Sequence, residues 1–329
     1  MREQENKKTL PGVLATISAG FDVITKHLWL ILIPVLLDVF YWLGPRLRFQ
    51  VLIEQFLEML PAEAEQFDLA AQIASIGPQT NLFTTLTVQL IGVPALMVGL
   101  APRETPVATQ IIELDSWSTW FSLFMIFSIV GLLLTAIYYT LIASVISKES
   151  SATELISTSN WLRKSVSSWV RLIGLLLIFL IIAIILYMPL IVIGSLLFMI
   201  NATLGSIALL IGPFMMIWVI IILSLAPFGI ILNGRPLLRA IMESARLVQA
   251  HLPSLIYLLL TVFIIGAVLD WILLAVENGT WLSMVNIIGH AFVSTALVAT
   301  VFIYYRDRYN LMFDPDSVYE IQTLSPKDS

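Results

Sequence analysis

Apolar residues recur along this chain in two alternating rhythms. Leu10, Leu14, Ile17, Phe21, Ile24 and Leu28 fall at three- and four-residue steps, with Ser18, Asp22, Thr25 and Lys26 outside the stripe, which predicts an amphipathic helix. An apolar run over about 28–47 follows, interrupted by Pro34 and Asp38. The pair recurs at 152–170, where Leu155, Leu162, Val166 and Trp169 face one way and Arg163, Lys164 and Ser167 another. It recurs again from Arg235, with Leu237, Leu238, Ile241, Ala245 and Val248 opposed to Arg239, Glu243, Arg246 and Gln249, before Pro253 and a run over 255–276. About 20 apolar residues cross a bilayer, so each surface helix feeds a membrane span.

The predicted spans are about 28–47, 117–146, 172–200, 204–232, 255–276 and 281–304. The third and fourth form a hairpin through Asn201-Ala202-Thr203. At 29 residues each they reach roughly 43 Å as straight helix against a hydrocarbon core of ~30 Å, and Pro189, Pro213 and Pro227 are the expected kinks. Residues 49–117 break the rhythm and read as an extracytoplasmic insertion. It begins with short helices over Phe49–Leu60 and Ala62–Ile76, stopped by Pro61 and by Gly77-Pro78. Uncharged 81–100 carries threonines, Gln89 and the Gly92-Val93-Pro94 break, so it reads as interfacial or re-entrant rather than as a seventh span. A polar tail over 306–329 ends the chain.

Aligning His27 with His251 pairs Ile17 with Ile241, Val23 with Leu247, Ile24 with Val248 and Leu28 with Leu252. The fold class is therefore all-α and polytopic, three repeats of a surface amphipathic helix plus a helical hairpin. Six spans place Arg2, Lys7, Lys8, Lys26, Lys148, Arg163, Lys164, Arg171, Arg235, Arg239, Arg246, Arg306, Arg308 and Lys327 on one side, leaving Arg46, Arg48 and Arg103 opposite. The excess of Lys and Arg assigns the first side, with both termini, to the cytoplasm of a bacterial inner membrane. The first span is expected to act as an uncleaved anchor, since residues 10–27 are amphipathic rather than a short apolar core.

Composition sharpens the class. Apolar residues make up 59% and charged residues 12% of 329, and mean hydropathy is +0.94; soluble domains carry roughly 25% charged residues. No polybasic run points to nucleic acid. With no cysteine, thiolate metal sites and cysteine nucleophiles are excluded, and three histidines far apart in sequence argue against a histidine metal site. No phosphate loop, zinc helix or nucleophile elbow is present, so neither enzyme activity nor a cofactor is expected.

Asp38, Asp270 and His290 are the ionisable residues inside spans. At ~2.5–3.5 kcal/mol for a charge at the bilayer centre, such residues face protein or water. Counted from the outer ends at 1.5 Å per residue, both carboxylates sit roughly 10 Å deep and the histidine about 14 Å. Asn286, His290 and Ser294 share one helical face. Functionally this is a polar track or proton site; structurally it is interhelical hydrogen bonding, worth ~0.6 kcal/mol per bond. Arg163, Lys164, Arg239 and Arg246 are candidate contacts for anionic lipid at ~1 kcal/mol each, or topology determinants. Trp29, Trp42, Trp117, Trp120, Trp169 and Trp281 read as interfacial anchors.

Leu225-Ala226-Pro227-Phe228, Arg235-Pro236-Leu237, Ser244-Ala245-Arg246-Leu247 and the ending Tyr304-Tyr305-Arg306-Asp307-Arg308 form a pattern over the last third of the chain. It resembles bacterial six-span proteins of the glycerophosphoryl diester phosphodiesterase membrane-domain type. In those phosphodiesterases a separate soluble domain carries catalysis, so the resemblance implies an architecture and no activity. The leading functional expectation is a non-catalytic scaffold or accessory module whose partners are membrane lipids and a protein. The alternative is a small-solute or proton-coupled transporter using Asp38, Asp270 and His290.

Overall fold

A computed structural model describes residues 11–59, 69–88, 91–98, 105–150, 158–274 and 279–313. Ala62–Asp68, the region of 152–157, Asn278, Arg103 and the tail beyond Phe313 lie outside the described residues. The helices are α1 (Val13–Lys26), α2 (Leu32–Leu43), α3 (Gln50–Glu58), α4 (Leu69–Ile76), α5 (Trp117–Ser150), α6 (Thr158–Ile200), α7 (Ala202–Leu223), α8 (Ala226–Leu232), α9 (Leu237–Leu274) and α10 (Ser283–Phe313). Strands β1 (Arg46–Arg48) and β2 (Ile111–Glu113) pair in parallel, Arg46 opposite Ile111. Among the described residues five helices are long and apolar enough to cross a membrane, or six if α1 and Leu28–Leu43, bent by 94°, make one span. This is the architecture of a multi-pass helical membrane protein.

Two compact units divide the chain. The first comprises residues 1–13, 143–258 and 302–329. Its hairpin starts where the Asn201 side chain accepts the Thr203 and Leu204 amides and so caps α7. Small residues let the two helices close: a Cβ on Gly194 would strike Leu209, and one on Gly212 would strike Tyr187. Around this hairpin Ile184, Ile185, Met199, Ile200, Phe214 and Trp218 are exposed, as lipid-facing side chains are. Buried α8 sets Phe228 edge-on to Phe302 at 4.7 Å. Gly234 at φ 60° turns the chain towards α9, and Arg171 donates to the Gly234 carbonyl at 2.6 Å. Pro253 cannot donate to the preceding turn, and α9 kinks at His251 (φ −127°, ψ 25°).

The second unit comprises residues 14–142 and 259–301. Gly20 brings α1 against Thr300 of α10, where any Cβ would collide, and Phe21 meets Phe292 edge-on at 6.0 Å. Tyr138 of α5 donates to Thr295 of α10 at 3.0 Å. The insertion is pinned to β1 by its own polar residues: the Asn81 side chain accepts the Leu47 amide at 3.2 Å, and Thr80 accepts that of Phe49 at 3.3 Å.

The described parts of 81–100 form short 3-10 turns, Leu82–Leu86 and Leu96–Val98, and no α-helix. The Leu86 backbone lies directly on Gly131. Gly131 stands fourteen residues into α5, about 21 Å along the helix.

Several sequence expectations change. Residues 158–200 are one uninterrupted helix, so the second surface helix runs straight into its span; no proline follows Trp169 as Pro253 follows His251. The apolar stripe Leu162, Val166, Val170 is exposed, while Ser165 and Ser168 are buried. Helix α2 ends at Leu43, short of 47, because Gly44 and Pro45 lead into β1. Helix α10 runs on to Phe313 through the start of the expected tail. Trp42 is fully buried, 5.7 Å from the ring centre of Trp281, and is no interfacial anchor; Trp29, Trp117 and Trp281 are exposed.

Candidate functional site

Within the second unit, α2, α9 and α10 bring Asp38, Asp270 and His290 together. His290 Nε2 lies 3.2 Å from Asp270 Oδ1, and His290 Nδ1 lies 3.8 Å from Asp38 Oδ2. The imidazole is thus bracketed by two carboxylates. Asp38 stands five residues from the end of α2, Asp270 four from Leu274, and His290 seven after the start of α10. These steps correspond to roughly 6–10 Å of helix, so all three share one level. Exposure is graded across them: 49% for the Asp270 side chain, 8% for His290 and 0% for Asp38.

The two carboxylates are held differently. Asp38 Oδ2 accepts the Leu96 amide at 2.9 Å, and Oδ1 accepts the Met97 amide at 2.8 Å. These N–H groups open the 3-10 turn that follows Pro94, and the first amides of a helical turn have no partner within it. A carboxylate from another element supplies the acceptor, a charge-assisted pair that supports α2 and the insertion at once. Asp270 Oδ1 and His290 Nδ1 have no hydrogen-bond partner among the described residues, so their contacts are close approaches without hydrogen-bond alignment.

Of the other expected site residues, Asn286 and Ser294 do not join the triad. Asn286 Nδ2 donates to the Leu273 carbonyl at 3.0 Å, tying α10 to α9. Ser294 returns its hydroxyl to the His290 carbonyl at 2.7 Å, within its own helix. Their shared face with His290 is real, but their hydrogen-bonding capacity is used on backbone.

Sequence reasoning missed the two amide donors and the Tyr41–Thr87 hydroxyl pair at 3.0 Å, one turn from Asp38. The signal for the amides was available in Gly92-Val93-Pro94, a break that begins a new turn and leaves N–H groups unsatisfied.

The basic candidates lie in the first unit. Arg163 and Arg246 are exposed, and Lys164 is half-buried. Arg239 pairs with Glu243 at 2.9 Å, and Arg235 approaches the same carboxylate at 3.3 Å and bonds Tyr309. Glu243, expected on the polar face, is buried, its charge set between two guanidiniums.

Among the described residues no group of three His, Asp or Glu has metal-binding geometry. Asp38 illustrates the chemistry: both oxygens face N–H donors, an environment that suits a carboxylate and opposes a metal cation beside it. Two carboxylates and an imidazole in close approach are groups able to bind and release a proton. No protein-family model, no curated protein and no solved structure matches the chain.

Proposed function

We propose that this chain is a proton-coupled transporter of a small solute in the bacterial cell membrane, with Asp270, His290 and Asp38 as its proton path. The observation that carries the reading is the imidazole set between an exposed carboxylate and a fully buried one. Ionisable residues within membrane spans are rare, face protein or water, and mark substrate and ion pathways and proton relays. Non-helical backbone at that depth is tolerated only inside protein or beside water, which suits the segment lying on Gly131.

In this reading both termini are cytoplasmic, α1 lies on the inner surface, and the run from Leu28 to Leu43 begins the first of six spans. The charge distribution supports that orientation, with Asp270 towards the outside. A proton bound by Asp270 passes to His290 Nε2 as the carboxyl O–H breaks. The Nδ1–H then breaks as Asp38 Oδ2 takes its proton, leaving the other imidazole tautomer. The 3.8 Å gap on the Asp38 side needs one water or a small ring rotation, since transfer requires about 2.6–3.2 Å between heavy atoms. No bond of the solute is made or broken.

A threefold repeat along an axis normal to the membrane belongs to the same proposal, supported by the matching helix breaks at His27 and His251. Six spans are the architecture that the phosphodiesterase membrane-domain resemblance implies. A second reading, a scaffold or accessory module that contacts lipids and a protein partner, is favoured by the structural use of both Asp38 oxygens.

Charge displacement on a solid-supported membrane separates the two. Proteoliposomes of the full chain are expected to give a transient current on an outward-side pH jump, lost in Asp270→Asn and His290→Gln. Uptake of at least one member of a labelled amino-acid, organic-acid or sugar panel is expected to follow an inward pH gradient. A pH-silent wild-type protein, indistinguishable from both variants, leaves the scaffold.

A further inference from the structure

Asp38 accepts two backbone amides of the segment 91–98. Residues 91–98 carry no charge, break at Pro94 and lack helical continuity, and their Leu96 and Met97 amides end on the one carboxylate that His290 approaches. Val93 and Met97 are buried there. We propose that Asp38 is a latch: ionised, it holds the 91–98 segment closed over α2, and protonated, it releases it. The latch rests on the proton path proposed above and gives that path a moving part.

The chemistry is specific. An ionised carboxylate offers both oxygens as strong acceptors. Adding a proton to Oδ2, the oxygen facing His290, turns that oxygen into a hydroxyl, a donor and a poor acceptor, at the point where the Leu96 N–H arrives. One charge-assisted bond is lost and the other becomes a neutral one. The titratable groups facing Asp38 are His290 from α10 and Asp270 from α9; the 91–98 segment brings only backbone, and Tyr41 of α2 is bonded to Thr87. Nothing charged on the segment competes for it. The same proton that neutralises Asp38 therefore loosens the segment.

The natural absence of cysteine permits a direct test. Met97→Cys keeps the backbone amide on which the latch depends and places a thiol at a buried position. Full-length protein in right-side-out vesicles is labelled with a membrane-impermeant maleimide, each rate being divided by that of exposed Met59→Cys in the same buffer. The normalised rate is expected to rise about tenfold from about pH 8 to about pH 5.5, with one charged hydrogen bond lost. In Asp38→Asn, whose amide nitrogen opposes an amide donor, labelling is expected to be fast at both values. In His290→Gln it is expected to stay slow at both. Equal normalised rates at the two pH values in the Met97→Cys protein itself overturn the latch, and this comparison needs no Asp38 variant to fold. A pH-independent rate beside an intact, His290-dependent charge displacement removes the latch and leaves the proton path. A pH-dependent rate that persists in His290→Gln keeps the latch and removes the path through the imidazole.

Discussion

His27 and His251 turn the backbone out of a helix at similar dihedral angles, φ −129° and ψ 53° against φ −127° and ψ 25°. With these two residues aligned, the buried positions before them coincide: Thr16 with Ala240, Gly20 with Ser244, Val23 with Leu247, Ile24 with Val248. The related sites Gly20 and Ser244 nevertheless do different work. Any Cβ on Gly20 meets the Thr300 side chain and α10 backbone, whereas Ser244 donates to the Ile222 carbonyl at 2.6 Å. Gly20→Ala is expected to cost about 1–3 kcal/mol by overpacking. Ser244→Ala is expected to cost about 1 kcal/mol for one hydrogen bond. Unfolding in detergent measures both, and an unaltered midpoint for Gly20→Ala contradicts the close approach.

Gly131 and Gly266 make a matched pair in the second unit. A Cβ on Gly131 strikes the Leu86 backbone, which cannot rotate aside, while one on Gly266 meets nothing within 4 Å. Gly131→Ala is expected to destabilise by about 1–3 kcal/mol. Gly266→Ala is expected to stabilise by about 0.5–1 kcal/mol, because alanine loses less backbone freedom in a helix. The two midpoints should move in opposite directions.

What was legible in the sequence was periodicity. The long apolar helices, the helix over residues 13–26 and the hairpin turn at Asn201 follow from hydropathy and capping chemistry, which act over neighbouring residues. The Gly92-Val93-Pro94 break marked the non-helical segment for the same reason. The depth count put Asp38, Asp270 and His290 at compatible levels, but spacing along a helix carries no information about rotation around its axis. Asn286 and Ser294 show the consequence, since both share the histidine's face yet bond to backbone. The Asp38 clamp, spanning 58 and 59 residues to its two donors, is a long-range pairing of a side chain with peptide groups, which every residue but proline offers. Glu243 differs from its expected place on the polar face because its carboxylate turns inward while Arg239 stays largely solvated and Arg235 partly so.

That carboxylate gives a stability prediction in the first unit. Glu243 has a side-chain exposure of 7%, and its partner Arg239 one of 58%. Arg239→Ala removes a largely solvated partner and is expected to cost less than about 1 kcal/mol. Glu243→Ala removes a buried acceptor shared by two guanidiniums and is expected to cost about 1–3 kcal/mol. Near-equal losses on thermal unfolding would mean that the pair is screened as a surface bridge is.

Orientation is testable on the cysteine-free chain. Met59 and Leu238 are both exposed, on opposite sides of the proposed topology. In the proposed topology, which rests on the fourteen-to-three division of Lys and Arg, Leu238 is cytoplasmic and Met59 outside. In intact cells an impermeant maleimide is expected to label Met59→Cys at once and Leu238→Cys only after lysis. Labelling of Leu238→Cys in intact cells inverts the membrane orientation and with it the direction of the proton path.

The three residues of the triad should separate when stability is measured beside proton response. Asp38→Ala strands two buried amides, Leu96 and Met97, at about 1–3 kcal/mol each, so the unfolding midpoint is expected to fall sharply. Asp270→Asn removes a charge whose contact with His290 lacks hydrogen-bond alignment and whose side chain is half-exposed, so stability is expected to change by less than about 0.5 kcal/mol. His290→Gln keeps polar capacity at similar length and should also be mild. The proton response inverts that order: Asp270→Asn and His290→Gln, both close to wild type in stability, are expected to lose the charge displacement that the wild-type protein gives. If Asp270→Asn instead unfolds the protein as readily as Asp38→Ala, the triad is a structural tie and the transport reading fails with it.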